Sequence, residues 1–434
     1  MCGFVGLYLN KDSSLEEGKF ASVLQKMTHA LEHRGPDNQG FYINSQEKLG
    51  FGFQRLSIID LKKNANQPMI SNNKNWVIVY NGEVYNYKSL KKNLNKDRSF
   101  WKSSSDTEVI IECIAQYGFH NTIQKLNGMF AIAAYCFSEK TLWLARDKFG
   151  EKPLYFNYKS NQGLCFASEL ISFSYLPGFK KQINEEAFSQ YVRYGYVPDP
   201  LSIFKDTYKV EPGHIIKFDR KNLIKKIKYW DSIEHFINSK ENKFRGSFQE
   251  AKEEVKRKID ISIKHRLISD VPLGLFLSGG IDSTNLALSL YRQNIPTNTF
   301  SIGFDDKKTN ELQFSDLVAK KLNTNHFSKY VSEKDSINNI QSISKAYDEP
   351  FSDPSQIPTF MLCKFVKEKI TVAISGEGAD ELFGGYPRYY DISNFWTRIK
   401  NNPKALSAVL DKLSLHFSSS SISKLRSIGK KMRK

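Results

Sequence analysis

Long uncharged apolar runs are missing from this 434-residue sequence. The longest, such as Met129–Phe137, are about half the length of a transmembrane helix, so no membrane span is expected. A secretory signal is also missing, because Met1–Asn10 has no basic start and Lys11 and Asp12 follow at once. The cysteines, at positions 2, 113, 136, 165 and 363, show neither disulfide density nor metal-ligand spacing. These absences predict a cytoplasmic protein.

The excess of positive charge is large but unevenly spread. The chain has 63 Lys and Arg against 46 Asp and Glu, a formal net charge of +17, which by itself suggests nucleic-acid binding. Residues 391–434 alone contain ten Lys and Arg against two Asp. The remaining excess is mostly lysine in polar stretches such as Lys91–Asp97, without interleaved aromatic residues. A solvated basic surface is therefore preferred over a nucleic-acid interface.

Length and hydrophobic patterning predict two domains. A chain of 434 residues exceeds the usual single domain, and 40% hydrophobic residues can fill real cores. Apolar or alternating runs typical of strands recur through the first half: Phe4–Leu9, Phe51–Ile59, Trp76–Tyr80, Phe130–Phe137, Leu142–Arg146 and Leu164–Ala167. Helical patterns over Gly18–Leu31 and Thr107–Tyr117 interrupt them, a strand-rich Ser202–Trp230 closes the region, and Glu234–Gly246 resembles a polar linker. This half is predicted to be an α+β domain of layered sheets with helices outside.

The second half has a different pattern, which begins at Ser247. Ser247 and Glu250 form a capping box at a helix start. One face of that helix carries an apolar series: Ala251, Val255, Ile259, Ile263 and Leu267. Three apolar runs follow, separated by helical patterns: Leu273–Leu277, Thr299–Phe304 and Ile370–Ile374. The alternation predicts βαβ units and a parallel sheet, and hence an α/β domain.

Cys2 is the first candidate catalytic residue. Its small side chain allows an aminopeptidase to remove Met1, which leaves a thiol and a free α-amine on one residue. With ordinary pKa values of about 7.7 for the amine and about 8.5 for the thiol, the amine can accept the thiol proton near neutral pH. The product is a thiolate nucleophile with a built-in base. Taken alone, Met-Cys is a weak signal, and a buried inert cysteine is the simpler interpretation.

Four further motifs strengthen the case for Cys2 as a catalytic residue. His33–Asp37 is a charged turn broken by Gly-Pro. Arg55 follows an apolar strand and offers a guanidinium for bidentate capture of a carboxylate. Asn81 and Gly82 offer the amide and N–H donors that an oxyanion hole needs. Asp106 lies at a helix start, where its carboxylate can hold an ammonium group. Each motif alone also has a structural interpretation as a turn, a salt bridge or a cap.

Taken together and in this order, the motifs resemble those of the class II (amino-terminal nucleophile) glutamine amidotransferases over about residues 2–219. The resemblance implies the αββα sandwich of the amino-terminal nucleophile hydrolases. It also implies that Cys2 attacks the side-chain amide of glutamine while Asn81 and Gly82 stabilise the oxyanion. The implied glutamine-binding residues are Arg55 for the α-carboxylate, Glu83 and Asp106 for the α-amine, and Ile58, Asn81 and Gly82 beside them.

Two glycine-rich loops in the second half suit phosphate binding. In Leu277–Ser283, two glycines let the backbone approach an anion, and hydroxyls and helix N–H groups point at it. The loop lacks the lysine and the spacing of a Walker A motif. Asp282 adds a carboxylate, which makes sense if a cation accompanies the phosphates and which an ordinary strand–helix turn does not need. Ser375–Glu381 is a second such loop with three carboxylates, which parallel strands would bring to the same sheet edge.

The two loops resemble the ATP-pyrophosphatase domain of the asparagine synthetases, an adenine nucleotide α-hydrolase-like α/β fold. The segments Asp348–Phe351 and Gly384–Tyr386 also look like that family. The ATP-binding residues that the resemblance implies are Leu277, Ser278, Gly279, Gly280, Asp282, Ser283, Ile302, Ser375 and Gly376. The resemblance further implies that Asp282 and Asp380 share Mg²⁺ and that Glu377 acts at the acyl-adenylate step.

The order of the two halves predicts a glutamine-hydrolysing asparagine synthetase. We expect an amidotransferase domain over 2–219, a closing strand and linker over 220–246, and an ATP-pyrophosphatase domain over 247–434. ATP would adenylate a carboxylate, normally the side chain of aspartate, and ammonia released at Cys2 would pass internally to attack the adenylate. The expected partners are glutamine and a carboxylate acceptor, with neither membrane nor nucleic acid. A homodimer is kept as a hypothesis.

The carboxyl end departs from the family pattern. Relatives continue well past the second acidic loop with a helical segment whose basic residue contacts phosphates, whereas here about fifty residues, with a serine run and Lys430–Lys434 at the end, follow Gly385. We therefore expect an incomplete ATP domain, in which Arg388 or Lys400 would have to supply the missing charge. Three alternatives stay open: amidation of another carboxylate, such as one on a surface polysaccharide; a glutaminase with an impaired ATP half; and a basic nucleic-acid-binding protein.

Overall fold

The computed structural model describes residues 1–401 apart from positions 12, 14, 161, 220–223 and 306–309. The side chains of residues 398–401, and with them the Lys400 candidate, lie outside this description, as do the serine run and the basic tail. The chain divides into two compact units, Met1–Ile374 and a second unit that begins at Ser375.

Strands and helices of the described residues are numbered in chain order. The strands are β1 Gly3–Leu9, β2 Asn38–Asn44, β3 Leu49–Arg55, β4 Met69–Ile70, β5 Trp76–Val84, β6 Gly128–Cys136, β7 Thr141–Arg146, β8 Tyr155–Lys159, β9 Gly163–Ala167, β10 Thr207–Lys209, β11 His214–Asp219, β12 Ile224–Lys228, β13 Leu273–Phe276, β14 Asn298–Phe304, β15 Asn325–Val331 and β16 Val372–Ile374. The α-helices are α1 Glu17–His29, α2 Tyr87–Asn93, α3 Asp106–Tyr117, α4 Phe119–Lys125, α5 Glu185–Tyr194, α6 Ser232–Glu241, α7 Phe248–Arg266, α8 Ile281–Arg292, α9 Leu312–Leu322, α10 Glu333–Asn338, α11 Ile340–Ala346, α12 Gln356–Val366, α13 Ala379–Phe383 and α14 Pro387–Asn401. Short 3₁₀ helices lie at Glu32–Arg34, Lys63–Ala65, Arg98–Phe100 and Leu170–Tyr175.

Two six-stranded antiparallel sheets form the first half of the chain. Their orders are β10-β8-β9-β1-β3-β2 and β12-β11-β7-β6-β5-β4. The facing sides meet in an aromatic and aliphatic core, in which the Tyr8 ring of β1 lies 5.2 Å from the Tyr135 ring of β6. Helix α1 packs on the outer face of the first sheet and α3 on the outer face of the second. The predicted αββα sandwich is confirmed.

A four-stranded parallel sheet of order β15-β14-β13-β16 follows. Helices α7, α8 and α9 pack on one face through residues such as Ile263 and Leu290. Helix α12 packs on the other face, where Phe365 meets Phe300. The predicted α/β half is confirmed. Strand β15 had no prediction, because its sequence NHFSKYV is polar and mostly exposed at the sheet edge and so lacks an apolar run.

The predicted polar linker differs from the structure. Residues Ser232–Glu241 form α6, with Asp231 as the N-cap whose carboxylate accepts from the Ile233 N–H at 2.7 Å. Every residue of this helix is exposed, so it has no buried apolar face by which the sequence could reveal it. The predicted capping box of Ser247 and Glu250 is confirmed at the start of α7.

The segment Asp348–Phe351 joins the parallel-sheet part of the first unit to the sandwich. The Asp348 carboxylate accepts hydrogen bonds from the backbone N–H groups of Leu170 and Ile171. Glu349 pairs with the Lys209 ammonium at 2.6 Å. Burial raises the pKa of Asp348 to about 6. The motif that looked like a family signature in the sequence is therefore an anchor between the two halves.

Candidate active site

A pocket of about 300 Å³ opens where β1, β3 and β5 end or begin and where α3 starts. The predicted glutamine-site residues all line it: Cys2, Arg55, Ile58, Asn81, Gly82, Glu83 and Asp106. They come from four separate stretches of the sequence. The pocket is therefore the place where the predicted chemistry would have to occur.

Cys2 is fixed from two sides. Its sulfur lies 3.4 Å from the Leu56 backbone nitrogen and 3.5 Å from the Leu56 carbonyl oxygen. Its own carbonyl accepts a hydrogen bond from Arg34 Nε at 2.9 Å. Burial raises the pKa of the Cys2 thiol. The α-amine belongs to Met1 in this chain, and burial lowers the pKa of that amine to about 6.

The charged turn His33–Asp37 supports Cys2. The Arg34 guanidinium pairs with Glu169, which also lies 2.9 Å from His33 Nε2. The Asp37 carboxylate accepts from the Ser57 N–H at 2.7 Å and so holds the loop after β3. The turn thus positions the backbone of Cys2 and the neighbouring loop.

Asn81 and Gly82 lie near the end of β5 and have the features of an oxyanion site. The Asn81 Nδ2 is buried and has no hydrogen-bond partner among the described residues. At Gly82, an added Cβ would lie 2.1 Å from the Met129 carbonyl oxygen of the paired strand β6, so only glycine fits. A buried amide donor without an acceptor is costly unless a ligand supplies one.

Arg55 lines the pocket with its guanidinium held by the loop that follows β3. Nη1 donates to the Lys62 carbonyl at 3.0 Å and to Asn66 Oδ1 at 2.7 Å. Nη2 donates to the carbonyls of Ile59, at 3.3 Å, and Asp60. The positive charge is therefore fixed in place, but its four terminal N–H groups are used within the protein. Arg55 thus offers a charge to the pocket rather than the predicted pair of free donors.

Two carboxylates, Glu83 and Asp106, lie close together in the pocket. Asp106 accepts from the Tyr80 hydroxyl at 2.8 Å and from the Val84 N–H at 3.0 Å. Burial raises the pKa of Asp106, and burial together with the charge of Asp106 raises the pKa of Glu83 to about 7. Two crowded carboxylates of this kind favour a cation between them, such as the ammonium group of an amino acid.

Sequence reasoning missed Lys152. Its side chain is buried in the pocket wall, its Nζ lies 3.1 Å from the Met1 sulfur, and burial lowers its pKa. Asp147 shapes the turn, because its carboxylate accepts from the N–H groups of Phe149, Glu151 and Lys152. The charged, glycine-containing turn after β7 was the available signal. Removal of Met1 would leave the Lys152 ammonium facing the pocket.

The first glycine-rich loop connects β13 to α8 as predicted. Ser278 Oγ lies 3.0 Å from Ser283 Oγ, and the Gly280 N–H donates to Ser278 Oγ at 3.2 Å. Gly279 has a φ of +85°, and a Cβ there would lie 2.6 Å from the Phe314 carbonyl carbon. Asp282 lies in the first turn of α8. Of the two predicted apolar contacts for AMP, Leu277 is buried and Ile302 is half-buried.

The second glycine-rich loop begins the second unit. The Glu377 N–H donates to Ser375 Oγ at 3.4 Å, and Gly378, with a φ of +88°, starts helix α13, which carries Asp380. Arg388 stacks on the Tyr386 ring at 4.3 Å from its centroid. Among the described residues, no three His, Cys, Asp or Glu side chains gather into a group that could hold a metal ion.

Comparison with known proteins adds an independent observation. The family model for a glutamine amidotransferase domain matches residues 1–230, and the asparagine synthase model matches residues 254–432. A Methanocaldococcus jannaschii protein, provisionally named as a glutamine-hydrolysing asparagine synthetase, is 33% identical over 95% of this chain and 81% of its own length. The chain belongs to the glutamine-hydrolysing asparagine synthetase family.

Two Bacillus subtilis asparagine synthetases show the extent of this family relationship. Asparagine synthetase 1 is 36% identical over 90% of this chain, and asparagine synthetase 2 is 32% identical over 89%. The chain spans 59% and 52% of the lengths of these two relatives. No helix among the described residues has both the length and the apolar character needed to cross a bilayer.

Proposed function

We propose that this protein is a glutamine-dependent ligase that converts aspartate to asparagine and releases glutamate, AMP and pyrophosphate. The observation that carries the proposal is the buried Asn81 amide, which has no partner within the described part of the chain and lies in the pocket that also contains Cys2. The names of the relatives support aspartate as the acceptor. We assign residues 2–219 to glutamine hydrolysis, 220–246 to the connection and 247–434 to the ATP-dependent step.

In the glutaminase reaction, removal of Met1 gives Cys2 a free amine that takes the thiol proton. The thiolate attacks the amide carbon of glutamine, and the resulting oxyanion accepts hydrogen bonds from Asn81 Nδ2 and the Gly82 N–H. The carbon–nitrogen bond breaks and ammonia leaves with the proton. Water then cleaves the thioester to give glutamate. Arg55 binds the α-carboxylate of glutamine, Glu83 and Asp106 bind its α-amine, and Ile58 contacts it.

In the ligase reaction, an aspartate carboxylate oxygen bonds to the α-phosphorus of ATP as the bond to pyrophosphate breaks. Ammonia then attacks the acyl carbon and AMP leaves, with Glu377 acting at this step. The loop residues Ser278–Ser283, with Leu277, Ile302, Ser375 and Gly376, bind the nucleotide. Asp282 and Asp380 offer the carboxylate oxygens that suit Mg²⁺, whose remaining ligands are usually phosphate oxygens and water. When bound, this ion neutralises phosphate charge.

Product analysis tests the proposal. The protein, with Met1 removed, is incubated with glutamine, aspartate, ATP and Mg²⁺, and asparagine, glutamate, AMP and pyrophosphate are measured together. Equal amounts of all four products would support the proposal. Glutamate without AMP would instead indicate a glutaminase with an impaired ATP half. Amide formation only when aspartate is replaced by another carboxylate, such as a sugar acid, would identify a different acceptor.

A further inference from the structure

Asp270 connects the two halves of the first unit at one defined place. It lies in the loop just before β13, and its side chain reaches the loop that follows β3. Its Oδ2 accepts from the Asp60 backbone N–H at 2.8 Å, and its own N–H donates to the Ile58 carbonyl at 2.9 Å. One residue of the parallel-sheet half therefore holds both ends of Ile58–Asp60.

The segment Ile58–Asp60 forms part of the glutamine pocket. Ile58 and Ile59 line it, and the carbonyls of Ile59 and Asp60 accept from Arg55 Nη2. Asp60 has a φ of +56°, a conformation that residues other than glycine rarely adopt without support. Its carboxylate accepts from the Lys62 N–H at 3.0 Å and from the Ser104 N–H at 2.6 Å. The position of Arg55 thus depends on hydrogen bonds that fix this loop.

The other side of the Asp270 loop leads to the parallel sheet. Two residues later, the Pro272 carbonyl accepts from the N–H groups of Thr371 and Val372 at 3.1 and 3.3 Å. Thr371 and Val372 line the same pocket, although they lie about 310 residues after Ile58–Asp60 in the sequence. Strand β13 begins at the next residue and leads after four residues, about 13 Å at the usual rise per residue, to the glycine-rich loop.

We propose that Asp270 is a positioning residue that holds the glutamine-binding loop against the strand leading to the nucleotide loop, so that glutamine hydrolysis stays coupled to synthesis. This inference rests on the proposed function. Asp270 is itself exposed, so its carboxylate fills no core, and its removal leaves the packing of the sheet intact. Asp270 acts on the glutamine-binding loop through one carboxylate oxygen, Oδ2, which accepts from the Asp60 N–H.

Three variants test the role of that acceptor. Asp270→Ala removes it, whereas Asp270→Asn keeps an oxygen that can accept from the Asp60 N–H. Asp335→Ala is the matched control, because Asp335 is also exposed and accepts from one backbone N–H, that of Ser332, at 3.0 Å. Each variant is assayed for glutamine KM, for kcat, for pyrophosphate release with ammonia, and for the ratio of glutamate to pyrophosphate with glutamine.

For Asp270→Ala we expect a glutamine KM raised about tenfold, the order of effect of one lost hydrogen bond. The glutamate-to-pyrophosphate ratio rises above one, while ammonia-dependent pyrophosphate release stays within about twofold of the wild type. Asp270→Asn and Asp335→Ala behave like the wild type. Hydrogen exchange of the peptide spanning residues 56–62 becomes faster in Asp270→Ala alone, which reports on the loop even without turnover.

Three outcomes would overturn the inference. An Asp270→Ala protein with the wild-type ratio, glutamine KM and exchange rate would show that the loop does not depend on this carboxylate. An Asp270→Asn protein as impaired as Asp270→Ala would show that the hydrogen bond is not the cause. Equal losses in the ammonia-dependent and glutamine-dependent reactions would indicate general destabilisation. Failure of the proposed function itself would already appear in the wild type.

Discussion

Asn81 places a buried amide donor in the pocket, and none of the residues that the structure describes accepts a hydrogen bond from it. An unpaired buried donor destabilises the fold by about 1–3 kcal/mol, and such donors are rare in folded proteins unless they serve a function. A substrate oxygen that becomes negative during the reaction would satisfy Asn81 at the moment of greatest charge. Arg55 contrasts with it, because its terminal nitrogens already have protein acceptors.

The two side chains predict different kinetic effects for variants of the pocket. Asn81→Ala should lower the glutaminase kcat by roughly 10²-fold with a smaller change in KM, because the lost donor acts mainly on the transition state. Arg55→Ala should mainly raise the glutamine KM, because carboxylate capture operates in the ground and transition states alike. Steady-state glutamate release measures both. The reverse pattern would refute the roles assigned here.

Glu83 predicts a pH dependence of glutamine binding. Burial raises its pKa to about 7, so the carboxylate is mostly protonated at pH 6 and mostly ionised at pH 8. If Glu83 binds the α-ammonium group, the glutamine KM should fall about tenfold between these pH values. The stability of the fold changes with pH in the opposite direction to glutamine binding. The raised pKa of Glu83 stabilises the folded state below the ordinary value of 4.5, and this stabilisation is lost as the pH rises through about 7.

Glu83→Gln checks both consequences. Its glutamine KM should be higher than that of the wild type at pH 8 and nearly constant from pH 6 to 8. Its thermal midpoint should rise relative to the wild type as the pH increases over the same interval, because the variant carries no buried charge. A variant that kept the wild-type slope of KM against pH would assign the titration to another group.

The glycine-rich loop between β13 and α8 combines a helix start with a carboxylate. Asp282 and a triphosphate repel each other unless a divalent cation lies between them. We therefore expect ATP to bind only in the presence of Mg²⁺. We expect Asp282→Asn to remove this Mg²⁺-dependent binding. Calorimetric titration with and without Mg²⁺ measures this, with Asp335→Asn as control. Equal ATP affinity without Mg²⁺ would refute a role of Asp282 in cation binding.

Regular elements with a strong local signal could be predicted from the sequence. The capping box at Ser247 and the apolar runs that became β13, β14 and β16 have local causes, so a short window of sequence contains them. Helix α6 and strand β15 lack such causes, because α6 is largely exposed and β15 lies at a sheet edge with polar residues. Their conformation depends on tertiary neighbours, which a local pattern does not contain.

The residues of the candidate site also divide into those that the sequence could predict and those that it could not. The residues with a chemical signature, from Cys2 to Asp106, were predicted and share one pocket. Lys152 and Thr371–Ala373 were not predicted, although they line that pocket too. They enter the wall through pairings between distant parts of the chain, such as the contact of Pro272 with Thr371. Only the folded chain reveals these long-range contributions.

The two-part organisation predicts that the half-reactions can be separated. Cys2→Ala should abolish glutamine-dependent synthesis but leave ammonia-dependent synthesis, because only the nucleophile is lost. An uncleaved Met1 or an amino-terminal tag should have the same effect, since each blocks the amine. Pyrophosphate release with glutamine or with ammonium salt as the nitrogen source measures the two reactions. Glutamine hydrolysis at the wild-type rate in Cys2→Ala would contradict the assignment.

The position of Thr371–Ala373 at the start of β16 affects how the amidotransferase half can be exchanged between members of this family. The amidotransferase family match ends at residue 230, but this part of the wall of the Cys2 pocket comes from about 140 residues further along the chain. A fragment cut at the family boundary would keep Cys2 and expose one side of its pocket to water. In a chimera, a transplanted amidotransferase half would meet a foreign strand at the same place. The exchangeable module therefore includes β16 as well as the first 230 residues.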